Sequence, residues 1–488
     1  MKSIIFSGDT MKKPPKTRAV NKIISSPLGV SILAVMTFLA FAFSLEFFFY
    51  CFVIIYAIYT ALFADDLSPL MPLFIFCYIT PSAKNNPGRN EESLFWGESG
   101  LFLLCFVSVA AILFIVRIAL DKNMGFKRLF LGKKFLLPGL LLLGLAFLAS
   151  GIGSPHYKEY ALKNLWFATL QFLAFFLLYF IFSSSVSWDR FKPSYLASIG
   201  VGMGAIVTAE LLYTYAAFDV VKDGIINRSN IYTGWGVYNN LGVILAMSIP
   251  FAFYFAARTR LPEVWFVIGS LLLGSTFLSC SRGAIVTAVP IYLVSVIFTF
   301  IKAKHKKRFR IATAAALGIL FTVALIKGDE VLKIFAKVPK IFEIIGGELI
   351  INDSDRFRVY SDGLKAFRDA KIFGHTFFPV GYIVYDFAEL EAFSAFFPPR
   401  WHNTAIQLLA SSGIVGALAY AVHRVSTVVL YIKRRKDPRA YIQNVFIALS
   451  VGALLLASLL DCHLFNIGPT LFYSTLLAPF EFAIERED

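Results

Sequence analysis

Three groups of polar residues lie at the ends of apolar segments, and their side chains suit phosphate binding and proton transfer. The first is centred on Arg282, which stands between Ser281 and Gly283 where two apolar segments meet. A planar guanidinium binds phosphate oxygens in pairs and neutralises charge that develops on a leaving group. A lone arginine at such a junction also fits a side chain that extends to the membrane interface. This position alone therefore leaves a pocket role and an interfacial role open.

The second group lies in a long polar stretch and contains Arg356, Arg358 and Tyr360. The two arginines have the same phosphate chemistry as Arg282. Charged residues in such a stretch are also commonly just solvated. A phosphate-binding role and a solvated-loop role therefore both remain open here.

The third group, Arg400 to Asn403, follows two prolines that stiffen the chain. His402 is the candidate general base, because imidazole exchanges a proton near neutral pH. Arg400 is close enough in sequence to disfavour the imidazolium and to keep the ring neutral. The alternative is that His402 packs against or caps the start of the following helix.

The composition indicates what kind of scaffold must hold these groups. Hydrophobic residues make up 58% of the 488 residues and charged residues 16%, and the mean hydropathy is +0.70. A soluble chain of this length needs far more polar surface. Apolar stretches recur along the whole chain, most of them near the roughly 20 residues that span a bilayer. The sequence predicts an all-α, polytopic transmembrane helical bundle of about 12–14 spans. The predicted spans are 28–44, 45–63, 68–81, 98–119, 135–153, 163–183, 194–217, 237–256, 263–280, 284–301, 311–327, 408–432, 441–461 and 466–484.

The net charge of +15 raises the possibility of a nucleic-acid partner, but its distribution argues against one. Lysine and arginine form clusters that alternate with the apolar spans, as the positive-inside rule expects of cytoplasmic loops. With the N-terminus inside, both long polar stretches fall outside. The predicted division is a cytoplasmic N-terminus (1–27), a transmembrane bundle (28–327), a periplasmic loop with catalytic elements (328–402), C-terminal spans (403–484) and a cytoplasmic tail (485–488).

The predicted outer loop contains two short helices. Apolar residues recur at helical spacing over 331–345, which predicts a helix lying in the interface and ending at Gly346-Gly347. A second helix is predicted over 355–370, after a capping segment, Asp353-Ser354-Asp355. The same acidic segment has the spacing with which some glycosyltransferases hold a metal-bound nucleotide-sugar. We favour the cap, because nucleotide-sugars are not expected outside the cytoplasm.

The order, sidedness and spacing of these segments resemble the O-antigen ligase and polymerase superfamily. Its members have an S-R-G-x segment, then a long periplasmic loop with R-x-x-x-W, then H-N-x-x-L-Q leading to two spaced glycines. The matching residues are Ser281-Arg282-Gly283-Ala284, then Arg356 with Tyr360 in place of tryptophan, and then His402-Asn403, Gln407, Gly413 and Gly416. Upstream, Tyr238-Asn239-Asn240-Leu241 resembles the asparagine-containing start of an earlier span. The resemblance covers roughly residues 190 to 435.

The resemblance implies a C-type glycosyltransferase-like fold and transfer of a glycan from undecaprenyl diphosphate to a sugar hydroxyl at the periplasmic face of the bacterial inner membrane. The implied acceptor is lipid A–core for a ligase, which we favour, or another lipid-linked glycan for a polymerase. We expect neither a metal ion nor a cofactor; the expected partners are these donor and acceptor substrates and membrane lipids, and no nucleic acid. The expected catalytic residues are His402, Arg282 and Arg356, and the expected substrate-binding residues are Arg400, Arg358, Asn403, Tyr360 and Asn240.

Four charged or titratable residues within the spans leave another class open. Glu210, His423, Arg424 and Asp461 fall within predicted spans, where charge is costly. They can pair with one another, or they can line a substrate pathway in a transporter or flippase. The sequence does not separate these roles.

Overall fold

The structure is a computed structural model of the 488-residue chain. It describes residues 15–76, 134–154, 157–222, 225–233, 236–319, 342–345, 348–351, 356–375 and 401–485, together with residue 322 and scattered positions between 108 and 119. These residues form a helical bundle with three short antiparallel hairpins.

Helices account for most of the described chain. They are α1 (Pro15–Ile24), α2 (Pro27–Phe43), α3 (Glu46–Phe63), α4 (Leu70–Phe76), α5 (Leu137–Leu148), α6 (Tyr157–Ser185), α7 (Pro193–Ala217), α8 (Tyr238–Arg258), α9 (Pro262–Leu278), α10 (Arg282–Lys302), α11 (Arg356–Asp369), α12 (Thr404–Arg434), α13 (Pro438–Ala457) and α14 (Ile467–Phe482). In the described residues, six segments, all but one of them a whole helix, are long and apolar enough to cross a membrane. They are Asn164–Ser185, Pro193–Ala217, Tyr238–Arg258, Arg282–Lys302, Thr404–Arg434 and Pro438–Ala457.

These helices confirm the predicted all-α polytopic bundle. Ten helical segments have the length or apolar character of a span, because four shorter apolar helices accompany the six long ones. Of the predicted span 311–327, the described residues, 311–319 and 322, are helical, and the helical stretch begins at 306. The predicted spans at 68–81 and 98–119 lie partly outside the described residues. The total of about fourteen spans therefore stays a prediction.

Helix α8 is the central helix of the bundle. Each of its residues from Leu241 to Ala257 is buried, as expected for a helix that is apolar on every side. It packs against α7, α9, α10 and α13. Because α8 begins at Tyr238, its first turn brings two asparagines to the middle of one end of the bundle.

The outer surface of the bundle is apolar, as contact with lipid tails requires. Along α12, the exposed side chains of Leu418, Val422, Val425 and Val428 recur at helical spacing and form a continuous stripe. Inside the bundle, buried hydroxyl groups such as those of Thr37 and Ser295 donate to the carbonyl four residues back in their own helix. These bonds give the hydroxyl groups a hydrogen-bond partner, which lipid tails do not provide.

The helix predicted over 331–345 is wrong at its C-terminal end. The strand Phe342–Ile345 pairs with the strand Glu348–Ile351 in an antiparallel hairpin, with Ile345 opposite Glu348. A two-residue Gly-Gly connection favours a hairpin turn over a helix end, and the isoleucines favour strand. Residues 331–341 lie outside the described residues. The second predicted helix is confirmed as α11, whereas the proposed cap at 353–355 is not described.

Two further hairpins fill the connection between α7 and α8. Strands at Val221–Lys222 and Ile225–Ile226 form one of them, and strands at Tyr232–Thr233 and Gly236–Val237 form the other. A single turn of 3-10 helix, Arg228–Asn230, lies between them. The second hairpin leads directly into the first turn of α8, so this connection covers the same end of the bundle as the two asparagines.

Candidate functional site

The candidate site is built around a hydrogen bond between His402 and Asp461. His402 directly precedes the N-cap of α12, and Asp461 lies in the connection between α13 and α14. The Nδ1 atom of His402 lies 3.1 Å from Oδ1 of Asp461. The His402 side chain is 45% exposed, whereas that of Asp461 is 13% exposed. The carboxylate therefore lies beneath an imidazole that remains accessible.

Asp461 is held ionised by its surroundings. Burial acts to raise its pKa, but the hydrogen bond from His402, the nearby His463 and the backbone N–H of Cys462 outweigh burial and hold the pKa well below its usual range. The Cys462 N–H donates to Oδ1 at 2.7 Å. An ionised carboxylate accepts hydrogen bonds and donates none. The proton of the neutral His402 ring must therefore sit on Nδ1, which leaves Nε2 with a free lone pair.

Asn239 connects this pair to Ser281. Its Nδ2 donates to Oδ2 of Asp461 at 3.0 Å, and its Oδ1 accepts from the hydroxyl of Ser281 at 2.9 Å. The close approach of α8 and α10 depends on Gly242, one turn below Asn239. A Cβ at that position would lie 2.4 Å from the Cβ of Ala284. A chain of hydrogen bonds thus runs from Ser281 through Asn239 and Asp461 to His402.

The N-terminal ends of four helices meet at this chain of hydrogen bonds. Asn239 belongs to the first turn of α8, Ser281 is the N-cap of α10, and His402 precedes α12. The fourth helix is α14, whose N-cap Asn466 donates to Oδ1 of Asn240 at 2.6 Å. Helix N-termini carry partial positive charge and unpaired N–H groups, so they favour anions. The site combines this field with a histidine, and Arg282 directly follows the N-cap Ser281.

The backbone of His402 is held in an unfavourable conformation. Its φ is +49°, in the left-handed region that costs an ordinary residue about 1–2 kcal/mol. Several hydrogen bonds fix it: the hydroxyl of Tyr360 donates to the His402 carbonyl at 3.2 Å, and the N–H of Thr404 donates to Ser458 O at 2.9 Å. On the other side, the N–H of Trp401 donates to Oε1 of Gln407 at 3.1 Å. Strain of this kind is typical of functional residues.

A break in α12 ties helix α11 to the site. Gly413 has φ +62°, and a Cβ there would lie 2.3 Å from the carbonyl oxygen of Ile372. At this break the N–H groups of Ile414 and Val415 donate to the carbonyls of Lys371 and Ile372, at 2.8 and 3.1 Å. The segment that follows α11 is thus hydrogen-bonded into α12 about three turns below His402. This attachment fixes where α11 presents its own residues.

A small apolar cluster completes the attachment of α11. Trp401, Ala366 and Ala410 are buried together, with Val359 and Ile406 packed against them. Because Trp401 adjoins His402 and Val359 adjoins Tyr360, this packing holds the two polar segments side by side. The sequence separation between these segments gives no sign of the contact.

The four predicted arginines differ in how much of each is described. Arg282 is the first residue of α10 and is half-buried. Arg356 and Arg358 occupy the first turn of α11, and their side chains lie outside what is described. Arg400 also lies outside the described residues. The phosphate-binding roles of all four arginines therefore stay predictions.

The predicted substrate-binding residues that are described have structural contacts. Asn403 caps α12 by accepting from the N–H groups of Ala405 and Ile406, and its Nδ2 donates to Leu459 O at 2.8 Å. Tyr360 supports the His402 backbone, and Asn240 accepts from Asn466. Substrate contacts by these three side chains remain predictions.

Sequence reasoning missed the roles of Asn239 and Asp461. The sequence places Asn239 in a motif that indicates no function for it, and it marks Asp461 as a costly charge whose role is open. Two sequence features point to a role for Asp461. A carboxylate near the end of a span needs a partner, and a histidine that acts as a base needs a group that fixes its tautomer. Only the folded chain shows that the two residues are partners, because the α13–α14 connection, which contains Asp461, meets the segment that contains His402.

The charged groups deeper in α12 pair inside the bundle. The Nε2 atom of His423 lies 2.7 Å from the hydroxyl of Tyr473, and Nη1 of Arg424 donates to that hydroxyl at 2.9 Å. The guanidinium of Arg424 also stacks on the rings of Tyr420 and Tyr473. Glu210 is fully buried in α7. These contacts favour structural pairing for His423 and Arg424.

A metal site in the described part of the chain would need several His, Cys, Asp or Glu side chains close together. No group of three or more His, Cys, Asp or Glu side chains there is arranged to hold a metal ion. Asp353 and Asp355 lie outside that part.

Fold and site together define a polytopic helical membrane protein with a polar site where helix N-termini meet. Residues 265–421 match the family model described as O-antigen ligase, and no curated protein matches the chain. This match, over residues 265–421, supports membership of the O-antigen ligase and polymerase superfamily. The family implies a glycosyltransferase-like membrane enzyme that uses lipid-linked glycans. The matched segment contains Arg282, Arg356 and His402, whereas Asn239 and Asp461 lie outside it.

Proposed function

We propose that this protein is an O-antigen ligase-type glycosyltransferase. It transfers a glycan from undecaprenyl diphosphate to a sugar hydroxyl of lipid A–core, without a metal ion, at the periplasmic face of the bacterial inner membrane. The observation that carries this proposal is the hydrogen-bonded chain Ser281–Asn239–Asp461–His402 at the meeting point of four helix N-termini. It combines an oriented base with an anion-attracting field, which are the two requirements of this reaction.

His402 removes the proton of the acceptor in the proposed reaction. As the hydroxyl oxygen attacks the anomeric carbon of the glycan, its proton moves to Nε2 of His402. The bond between that carbon and the diphosphate oxygen breaks at the same time. Asp461 keeps the ring in the tautomer that leaves Nε2 available, and it stabilises the imidazolium that forms, in the manner of the acid in a Ser-His-Asp triad.

The arginines bind the diphosphate leaving group in the proposed reaction and stabilise its charge. Undecaprenyl diphosphate departs with the electron pair of the broken bond, so negative charge grows on its phosphate oxygens. A guanidinium fork binds two such oxygens at once and does not need to reorganise as the charge develops. Arg282 stands at the positively polarised end of α10, where this charge is favoured. Arg356, at the start of α11, is proposed to bind from the loop side.

The distribution of basic residues supports a periplasmic site. Helices α8, α10 and α12 begin at the site and end in Arg258, Lys302 and Arg434 at the opposite end of the bundle. The positive-inside rule assigns such basic ends to the cytoplasm. The site then faces the periplasm, where lipid-linked glycans and the acceptor are both accessible.

Deletion of the gene, followed by gel analysis of surface polysaccharide, tests this function. A ligase predicts core lipid without O-chains together with accumulated lipid-linked polymer. Core lipid that carries a single repeat identifies the polymerase alternative, which uses the same donor and the same residues. Normal polysaccharide in the deletion strain contradicts both assignments.

The arginine roles predict a specific pattern of variants. Arg282→Ala and Arg356→Ala each lower transfer by roughly a hundredfold or more, because each removes a charge-stabilising donor. Lysine at either position restores little activity, since a point charge does not reproduce the fork. Transfer is measured with purified protein of matched folded content. Arg310→Ala, at the basic end of the bundle, is the control and retains activity. If both lysine variants transfer at wild-type rates, bidentate phosphate binding is refuted.

A further inference from the structure

Arg228 is a cation beside the site that the proposed reaction does not use. It opens the 3-10 turn between the two hairpins that connect α7 to α8. Its guanidinium lies over the ring of Tyr238, 5.5 Å from the centroid. Tyr238 is the residue before Asn239, whose amide joins Ser281 to Asp461. The contact therefore places a guanidinium next to the first turn of α8, at the site end of the bundle.

The connection holds Arg228 firmly. The N–H of Asn227 donates to the Val220 carbonyl at 2.8 Å, and the N–H of Ile231 donates to the Arg228 carbonyl at 3.0 Å. The Nδ2 atom of Asn230 donates to the carbonyl of Asp219 at 2.9 Å. Val220 and Ile231 are both buried. The position of Arg228 is thus set by backbone pairing on both sides of the turn.

Arg228 is close enough to the segment before α10 to act electrostatically on Cys280. Burial raises the pKa of the Cys280 thiol, while a contact with the Tyr215 hydroxyl and the charge of Arg228 act to lower it. Cys280 lies two residues before Arg282, so Arg228 and Arg282 approach the same segment from different elements. Among the described residues, Arg228 forms no ion pair with a carboxylate. The site acid Asp461 is already bonded to His402, Asn239 and Cys462 N–H.

A guanidinium stacked on an aromatic ring retains its in-plane N–H donors for a further partner. At this end of the bundle that partner must be anionic, because the helix N-termini and Arg282 repel cations. We propose that Arg228 binds a phosphate of the lipid diphosphate, so that the site distinguishes a diphosphate from a monophosphate lipid. This inference rests on the proposed function, and it adds a donor from the α7–α8 connection to those from α10 and α11.

Binding measurements on the purified full-length protein in nanodiscs test the inference, with undecaprenyl diphosphate and undecaprenyl monophosphate as probes. Arg228→Gln should weaken binding of the diphosphate roughly tenfold to a hundredfold, the worth of charge-assisted hydrogen bonds to one group. The same substitution should weaken binding of the monophosphate by less than about threefold. The affinity of Arg228→Lys protein for the diphosphate should lie between that of wild type and that of Arg228→Gln.

Lys222→Gln is the matched control, since it removes the same charge from an exposed position in the same connection. It should leave binding of both lipids unchanged, and thermal unfolding should show all variants equally folded. Arg228→Gln protein that binds the diphosphate as tightly as wild type overturns the inference, even if transfer is impaired. Wild-type protein that binds neither lipid instead contradicts the proposed function, so the two failures are distinguishable.

Discussion

His402→Gln protein inserts, folds and binds its lipid-linked donor, yet loses roughly 10²–10⁴-fold in the rate of transfer. Glutamine has a similar reach and forms hydrogen bonds, but it does not accept a proton near neutral pH. The hydroxyl of the acceptor then has no base when it attacks. The comparison uses purified wild-type and variant protein, with donor binding and transfer measured on the same preparation.

The matched control is His305→Gln, the same substitution near the basic end of the bundle. It should transfer at the wild-type rate. The strained backbone of His402, with φ +49°, makes a change in folding the main competing explanation. Thermal unfolding of the variant excludes that explanation if its midpoint matches wild type. A fully active His402→Gln enzyme removes this histidine from the mechanism.

Asp461→Asn should lower the transfer rate by a similar factor, up to about 10⁴-fold, by analogy with amide replacement of a triad acid. An asparagine can turn its NH₂ group toward Nδ1, which stabilises the tautomer with the proton on Nε2. The histidine is then present but unable to act as a base. Because Asp461 orients His402 and is not expected to touch the acceptor, the loss should fall on kcat, with KM little changed.

A structural role for Asp461 predicts a different result. Loss of folding would lower the amount of active protein, whereas a tautomer effect lowers the rate per folded molecule. Asp189→Asn, an exposed carboxylate-to-amide change away from the site, serves as the control. The pKa of Asp461 lies below its usual range, so its contribution to stability is complete at neutral pH. That contribution is lost progressively as pH falls from the ordinary carboxyl pKa through the lower folded-state pKa. Asp461→Asn activity at the wild-type level contradicts the orienting role.

The bundle was largely predictable from sequence because lipid imposes a simple rule. Each span must satisfy its backbone internally and present apolar side chains outward. Helices α7, α8 and α10 accordingly begin and end within a few residues of the predicted spans. The sequence does not predict the hairpin at 342–351, because the apolar spacing over 331–345 resembles that of a helix and a Gly-Gly pair can also end a helix. The local spacing of apolar residues does not distinguish a helix from a strand in such a short segment, because the strand is stabilised by pairing with a second strand.

The site was predictable in its parts but not in its connections. His402 and Arg282 were identified by their chemistry, and the structure brings their segments together through Asn239 and Asp461. Asp461 lies 59 residues from His402 in the chain, and its role depends on how the α13–α14 connection meets the start of α12. Such a contact arises from tertiary packing of helix ends, which no single-sequence pattern encodes. The attachment of α11 at the Gly413 break is of the same kind.

Release of undecaprenyl diphosphate by the purified protein tests the central claim most directly. The protein is reconstituted in lipid with a lipid-linked glycan isolated from the deletion strain and with lipid A–core as acceptor. The account predicts that undecaprenyl diphosphate and glycan-bearing lipid A–core appear in equal amounts, and that neither forms with His402→Gln protein. Folded wild-type protein that binds the donor but releases no undecaprenyl diphosphate, with lipid A–core or lipid-linked glycan as acceptor, would contradict it.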